Sequence, residues 1–437
     1  MTQVDDTLTG PQTHRALSEI EQEEIQRRTV RSLLVSQVWG GMALVSGYSV
    51  VALLADDITD NETLAGLSAA CLSIGAALAS FPLARLMARS GRRPGLRTGY
   101  LIGAVGAFLA VLAAITRFFP LLPLGVMGIG AGSAANLAAR YAAADLARPE
   151  KRGQAIGTIV WATTLGSATG SLISLMVFDP AGQRLGLPDF GGSFLTGSLL
   201  FLGAAALVEW RLRPDPLVVA GGIGRTVDEG RLPFRAAMGL ILASPRARLA
   251  VLGMMISQGT MVGVMTLTPL HMRDGGQTKN QISVMLFLHI LGMYAFSPLV
   301  GRMTDRIGRY PMIVAAGVLC AGGALTAAYS PDGSFPGIAL ALFLIGIAWS
   351  FGIVAASGLL TESFPIAQRA SVQGAGDLCM AGFGASSGVA AGAIVAARSY
   401  HDLSMAAATL GVVLVAAVFA TLATDRGRPA KLAPAAG

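Results

Sequence analysis

The sequence contains few charged residues for its length. Of 437 residues, 13% are charged and 53% are hydrophobic, and the mean hydropathy is +0.61. A soluble protein of this size needs a more polar surface, so the composition indicates an integral membrane protein. The first 28 residues are polar and acidic and lack the apolar core of a signal peptide. We therefore expect the first apolar span to be retained as an anchor.

Cysteine and lysine are also scarce. Cys71, Cys320 and Cys379 are far apart and odd in number, which excludes a disulfide framework and a zinc-binding spacing. The net charge of +7 comes almost entirely from arginine, in short blocks between apolar runs, and this pattern favours membrane topology over nucleic-acid binding. The sequence has no phosphate-binding glycine loop with lysine and no catalytic cluster, so neither an ATP-driven pump nor an enzyme is expected.

Long apolar runs are abundant. Twelve of them are long enough to cross the hydrocarbon layer as helices. The sequence therefore predicts an all-α membrane protein with twelve transmembrane helices. The predicted spans are 31–55, 63–87, 95–116, 120–143, 155–178, 193–212, 249–272, 280–301, 311–330, 336–361, 370–397 and 402–423.

The positions of the arginines predict the topology. They concentrate in alternate loops, which places both termini in the cytoplasm of a bacterial plasma membrane. A stretch rich in arginine, proline and glycine separates two halves, and within it Phe234–Ala243 is expected to lie on the membrane surface. The predicted segments are an amino-terminal tail 1–28, a six-helix half 29–212, a linker 213–248, a six-helix half 249–424 and a carboxy-terminal tail 425–437.

One loop sequence occurs at matching places in the two halves. It reads ARLMARSGRRP at 84–94 and GRMTDRIGRYP at 301–311. Both stretches resemble the Gly-x-x-x-Asp-Arg-x-Gly-Arg-Arg signature of the major facilitator superfamily, and the resemblance implies a fold of two six-helix halves. The matching residues are Arg89, Gly91, Arg92, Arg93, Gly301, Asp305, Arg306, Gly308 and Arg309.

The two copies differ at the acidic position. A carboxylate there can pair with arginine and with the amino terminus of a neighbouring helix, which helps to close the cytoplasmic side. Asp305 supplies this carboxylate in the second copy, whereas Ala84 and Ala88 replace the glycine and the aspartate of the first. The motif says little about the substrate.

Two pairs of possible metal ligands lie in spans seven and eight. Met261 and Met265 are four residues apart, as are His289 and Met293, and residues with this spacing share one helix face. If the two spans form an antiparallel hairpin joined near 274–279, both pairs lie near mid-membrane. Three thioethers and a neutral imidazole suit Cu(I) better than Mg²⁺ or Ca²⁺. For any single methionine, plain core packing is the stronger explanation.

The MxxxM and HxxxM pairs resemble the mark of the CcoA-like bacterial copper importers. In that branch the residues matching Met261, Met265, His289 and Met293 are taken to bind copper and pass it to the cytoplasm for assembly of haem-copper oxidases. The resemblance therefore implies import of copper, as the ion or a small chelate, by a protein without a resident cofactor. We expect the protein to work as a monomer in the lipid bilayer.

Other soft ligands border the same path. His271, at the outer end of span seven, is either the first residue to receive the ion or a histidine bonded at the membrane interface. Cys379 and Met380 in span eleven are candidate ligands on the release path, although Cys71 and Cys320 show that buried cysteines here also serve packing.

The candidates for energy coupling are Asp377 in span eleven and Arg140 with Asp145 at the inner end of span four. Asp377 either carries a proton against copper or pairs with an arginine of the opposite half.

Two other functions remain open. A proton-coupled exporter of small organic molecules is one, although span five has Ser171 where the glycine-rich signature of drug antiporters has proline. A non-transporting sensor or assembly factor is the other.

Overall fold

The computed structural model describes residues 19–48, 50–173, 177–223, 232–331 and 334–426, and this part of the chain is helical without strands. The α-helices, numbered in chain order, are α1 (Glu19–Tyr48), α2 (Val51–Thr59), α3 (Glu62–Ser90), α4 (Arg92–Thr116), α5 (Leu121–Ala144), α6 (Arg152–Ile173), α7 (Asp179–Arg184), α8 (Gly191–Arg211), α9 (Pro216–Val219), α10 (Phe234–Ala243), α11 (Pro245–Asp274), α12 (Lys279–Tyr294), α13 (Ser297–Ile307), α14 (Arg309–Tyr329), α15 (Phe335–Glu362), α16 (Ile366–Ala397) and α17 (Tyr400–Arg426).

The helices follow the twelve apolar runs. Among the described residues, eleven segments are long and apolar enough to span a membrane. The helix α6 fills the place of predicted span five and is not among those eleven. The predicted all-α fold of two six-helix halves is confirmed.

The buried apolar residues form two clusters. One draws almost entirely on α1 to α9, and the other draws mainly on α10 to α17. Glycines allow helices to pack closely within each half. For example, a Cβ atom at Gly106 of α4 would overlap the carbonyl oxygen of Gly125 in α5, so only glycine fits this close contact.

The first helix begins earlier than the apolar pattern predicts. Residues 19–28, predicted to belong to the tail, are helical because Glu, Gln and Arg are good helix formers without being apolar. The Gln26 side chain also donates a 2.7 Å hydrogen bond to the carbonyl of Ala143, which holds the extension against the end of α5. Residues 1–18 of the predicted tail lie outside the described residues.

Predicted span eight is not one continuous helix. It divides into α12 and α13 at a turn over residues 295–296, just before Pro298, whose ring has no N–H to continue the helix. At the start of the second half, α11 begins at Pro245, within the predicted linker. Residues 224–231 of that linker and 427–437 of the carboxy-terminal tail lie outside the described residues, and the domain boundaries stay predictions.

The linker helix α10 contacts both halves. The Phe234 ring packs edge-on against Phe81 of α3, with centroids 5.4 Å apart. The Met238 sulfur lies 3.8 Å from the sulfur of Cys379 in α16. We use "linker side" for the face of the molecule where α8 ends and α11 begins, and "far side" for the opposite face.

Candidate functional site

The two predicted ligand pairs lie on a helix hairpin. The first helix, α11, ends at Asp274, and α12 begins at Lys279 with Thr278 and Gln281 forming a capping box. The two helices contact each other along a short stretch only, whereas each packs along α15. The helix α15, which the sequence did not implicate, therefore packs against both helices of the hairpin.

The His289 ring is held by the backbone of α15. The side chain is fully buried, and Nδ1 lies 2.7 Å from the carbonyl oxygen of Leu342. Because a carbonyl oxygen only accepts, Nδ1 carries the proton. The other nitrogen, Nε2, is buried and has no partner among the described residues. A charged ring in this dry environment would be costly, so Nε2 presents an unused lone pair, as in histidines that bind metals.

Helices α12 and α13 pack in one register along α15, which runs parallel to them. His289 with Leu342 and Ser297 with Ser350 are each 53 residues apart, and the two serine hydroxyls lie 2.8 Å from each other. Gly346 lies between these contacts, where a Cβ atom would overlap the carbonyl oxygen of His289. Close approach at Gly346 thus positions the imidazole.

Replacing Gly346 with alanine is expected to destabilise the protein by about 1–3 kcal/mol, because the added methyl pushes α12 away from α15. Thermal unfolding in detergent measures the effect. Gly322→Ala is the matched control, since a Cβ atom at position 322 meets no other atom within 4 Å. Equal melting temperatures for the two variants would contradict this account of the register.

The Trp349 side chain contacts both helices that carry the candidate ligands, so Gln258 of α11 and Tyr294 of α12 lie at the same depth in the helix bundle. Its Nε1 donates to Gln258 Oε1 of α11 at 2.8 Å, and its ring packs 5.3 Å from that of Tyr294 in α12. At 1.5 Å per residue, the four candidate ligands all lie within about 10 Å of this level, toward the far side. They are Met261 and Met265 after Gln258, and His289 and Met293 before Tyr294.

The four side chains differ in exposure. His289, Met261 and Met293 are buried, and Met265 is half-buried. Gln258, Met261 and Met265 are spaced three and four residues apart and share one face of α11. Within the described residues, His, Cys, Asp and Glu side chains do not converge in groups of three, so a zinc-type site is not formed there.

A central cavity of about 140 Å³ lies between the halves, and of the face on α11 just described, Gln258 lines it whereas Met261 and Met265 do not. Gln258, Asp377 and Met380 line it from the second half. Cys379 points instead toward Met238 of α10.

His271 is stacked on the ring of Tyr400, with centroids 4.1 Å apart. This ring contact accounts for the position of the imidazole at the far side.

Asp377 is paired across the two halves. The Arg140 guanidinium of α5 donates to Asp377 Oδ1 at 2.5 Å and to Ser357 Oγ at 2.9 Å. The Tyr141 hydroxyl also donates to Asp377, at 3.1 Å. All four residues are buried. Of the two interpretations of Asp377, this geometry matches the pair with an arginine of the opposite half.

The comparisons with known proteins agree with this architecture. The family model described as Major Facilitator Superfamily matches residues 34–276 and 250–437. The chain belongs to the major facilitator superfamily. It is 34% identical over 404 residues to the uncharacterized MFS-type transporter YddS of Bacillus subtilis (strain 168), covering 91% of this chain and 92% of the relative.

Two further comparisons concern a relative whose name states its substrate and a solved structure with a shared fold. The riboflavin transporter RfnT of Brucella anthropi is 27% identical over 385 residues, covering 86% of this chain and 92% of the relative. The human organic anion transporter MFSD10 has the same fold, with a TM-score of 0.70 at 16% identity over 90% of this chain and 99% of that one.

The second copy of the superfamily's loop motif joins the two halves on the linker side. Asp305 accepts hydrogen bonds from the backbone N–H groups of Gly153 (2.8 Å) and Gln154 (2.7 Å) at the start of α6. Arg309 pairs with Asp305 at 2.8 Å and with Glu362 at 2.7 Å. A carboxylate therefore caps a helix of the opposite half.

The glycines and the second arginine of this copy have separate places. Gly301 packs directly on the backbone of Gly153, and Gly308 has a φ of 105°, which glycine tolerates best. Arg306 is exposed.

The first copy uses a different contact, because the buried Ala88 has no carboxylate. Arg92 is buried and pairs with Asp145 at 2.8 Å, and it also donates to Gln373 Oε1 of α16 at 2.7 Å. Asp145, a candidate for coupling, thus lies in the motif network.

The remaining residues of this copy surround that network. The backbone N–H of Arg93 donates to Asp215, and Gly91 adopts a φ of 98°. Arg89 is exposed.

Proposed function

We propose that the protein imports copper across the bacterial plasma membrane by alternating access, with Met261, Met265, His289 and Met293 as its Cu(I) ligands. One observation carries the proposal: the buried Nε2 of His289 has a lone pair without a partner among the described residues, while Nδ1 is fixed by a backbone carbonyl. Such orientation by the other ring nitrogen is usual for a metal-binding histidine.

The surrounding chemistry supports a soft monovalent cation. Met293 lies one turn from His289, and Met261 and Met265 lie at nearly the same depth on α11. Thioethers and imidazole are uncharged and soft, so they bind Cu(I) without the strong hold of thiolates and can release it. With the arginine-rich linker side in the cytoplasm, release there is import, and the copper then becomes available for oxidase assembly.

An organic solute is the second candidate, favoured by the similarity to the riboflavin transporter RfnT. The central cavity argues against a flavin. Its volume of about 140 Å³ is less than half of the roughly 300 Å³ at which small-molecule pockets begin. Among the described residues that line it, none supplies an aromatic ring for stacking on a flat molecule.

Copper accumulation in cells that lack other copper importers tests the proposal. We expect both His289→Ala and Met265→Leu to reduce uptake of radioactive copper to the level of cells without the protein, because each removes one ligand. His401→Ala and Met312→Leu are matched controls. The Nδ1 of His401 donates to the carbonyl of Ala328, away from the site, and Met312 is a buried methionine of α14.

Expression of each variant is compared in the same membranes, since His289→Ala also removes the bond to Leu342. Met265→Leu is nearly isosteric and keeps the packing. Copper uptake at the wild-type rate by both variants would contradict the proposal, and competition of uptake by excess riboflavin would favour the organic solute.

A further inference from the structure

The methionine-bearing face of α11 continues from the proposed ligand site toward the linker side. Met254, Gln258, Met261 and Met265 recur at intervals of four, three and four residues, so they lie on one helix face. Met254 is two turns from Met261, about 10 Å nearer the linker side. A cation leaving the ligand site toward the linker side therefore passes Met254.

Met254 adjoins the buried ion pair between the halves. Its sulfur lies 3.8 Å from the Tyr141 hydroxyl, which donates to Asp377 at 3.1 Å. Met380 lies one helical turn after Asp377, and both residues line the central cavity. Two buried thioethers and one carboxylate thus occur together at this level, all on helices of the second half.

The carboxylate has a cation in the present conformation. Arg140 belongs to α5 of the first half and makes a 2.5 Å contact with Asp377. The linker side is closed here by contacts between the halves, such as Asp305 with the start of α6. When the halves separate on that side, Arg140 moves away with α5. A buried carboxylate left without its partner needs another cation.

We infer that Asp377, Met380 and Met254 form a second Cu(I) site on the release path, which Arg140 occupies when no metal is present. This inference rests on the proposed function. The carboxylate neutralises the single charge of Cu(I), and the thioethers supply the soft ligands that a carboxylate lacks. Arg140 and the metal compete for one carboxylate, so the pair re-forms only after the ion has left.

The first test uses the full-length protein in proteoliposomes that contain a chromogenic Cu(I) chelator, with Cu(I) kept reduced by ascorbate outside. Met380→Leu is expected to slow transport at least tenfold, while the detergent-solubilised protein still binds Cu(I) at the intact Met/His site. Met312→Leu, a buried methionine away from the cavity, is expected to transport like the wild type. Wild-type transport by Met380→Leu would overturn the inference.

A double variant that exchanges the two charges tests whether the Asp377 carboxylate binds the ion or only forms a structural ion pair with Arg140. Arg140→Asp combined with Asp377→Arg restores the pair, and we expect it to recover melting temperature relative to either single variant. It also moves the carboxylate to α5 and puts a guanidinium beside the two sulfurs, so transport should remain lost. Recovery of transport in the double variant would show that the pair is structural only.

The two proposals fail in distinguishable ways. Loss of Cu(I) binding in Met265→Leu supports the Met/His site whatever Met380→Leu does. If Met265→Leu binds Cu(I) like the wild type, the proposed function fails first and the second site fails with it. If Met265→Leu loses binding while Met380→Leu transports normally, only the second site fails.

Discussion

Replacing Arg140 with leucine is expected to lower the free energy of unfolding by about 3–5 kcal/mol, because it leaves the carboxylate of Asp377 buried without a counter-charge. Arg140 is completely buried and also donates to Ser357 and to the carbonyl of Leu137, so no solvent replaces the lost contact. Thermal unfolding of the detergent-solubilised protein measures the change.

Two control variants isolate the electrostatic cause. Arg140→Leu with Asp377→Leu removes both charges and is expected to recover most of the lost stability, since a buried ion pair replaced by apolar residues is often neutral overall. Arg117→Leu removes the arginine of an exposed pair with Asp57, which is worth about 0–1 kcal/mol. If Arg140→Leu melts like Arg117→Leu, the pair across the halves contributes little to the fold.

Neutralising Asp305 is expected to open the linker side. In Asp305→Asn, the charge that caps α6 and pairs with Arg309 is lost, although an amide oxygen remains to accept one hydrogen bond. A hydrogen bond to a charged group contributes about 1.5–3 kcal/mol. The ratio of closed to open molecules should therefore fall roughly 10- to 100-fold, at about 1.4 kcal/mol per factor of ten.

Cysteine accessibility measures this shift. A cysteine in place of Ser133, which lines the central cavity, should react faster with an impermeant maleimide supplied on the linker side when Asp305 is neutral. The native cysteines are replaced in all proteins compared. Arg306→Gln is the matched control, because Arg306 is an exposed residue of the same motif. An unchanged alkylation rate in Asp305→Asn would show that this cap does not hold the halves together.

Apolar length was sufficient to predict the helical fold, because each span must satisfy its own backbone in hydrocarbon. It was insufficient where helices extend beyond apolar sequence. Residues 19–28 are polar, so the hydropathy pattern treated them as a tail although their helix propensity is high. The break ahead of Pro298 was readable from the proline itself, and the apolar run around it obscured that signal.

For the candidate site, the sequence predicted which residues share a helix face, but not which residues of other helices contact them. The spacing of His289 and Met293 indicated one face, whereas Leu342 contributes through a backbone carbonyl and Gly346 through its lack of a side chain. Nothing distinguishes these two residues from the rest of an apolar run. The partner of Asp377 is Arg140, 237 residues away, and only packing of the two halves selects it among the arginines. A tryptophan and a glutamine in otherwise apolar spans were the available signals for the Trp349–Gln258 contact.

The two copies of the loop motif make different contacts between the halves, at two separate corners of the linker side. At one corner, Asp305 fastens α13 to α6 through a charged cap. At the other, Ala84 packs against Gly374, and among the described residues one hydrogen bond, from Arg92 to Gln373, joins α4 to α16. Because the charged cap holds α13 to the other half, we expect the halves to part first where α3 and α4 meet α16. If copper is the substrate, as proposed, the ion then leaves along α16, past Asp377 and Met380.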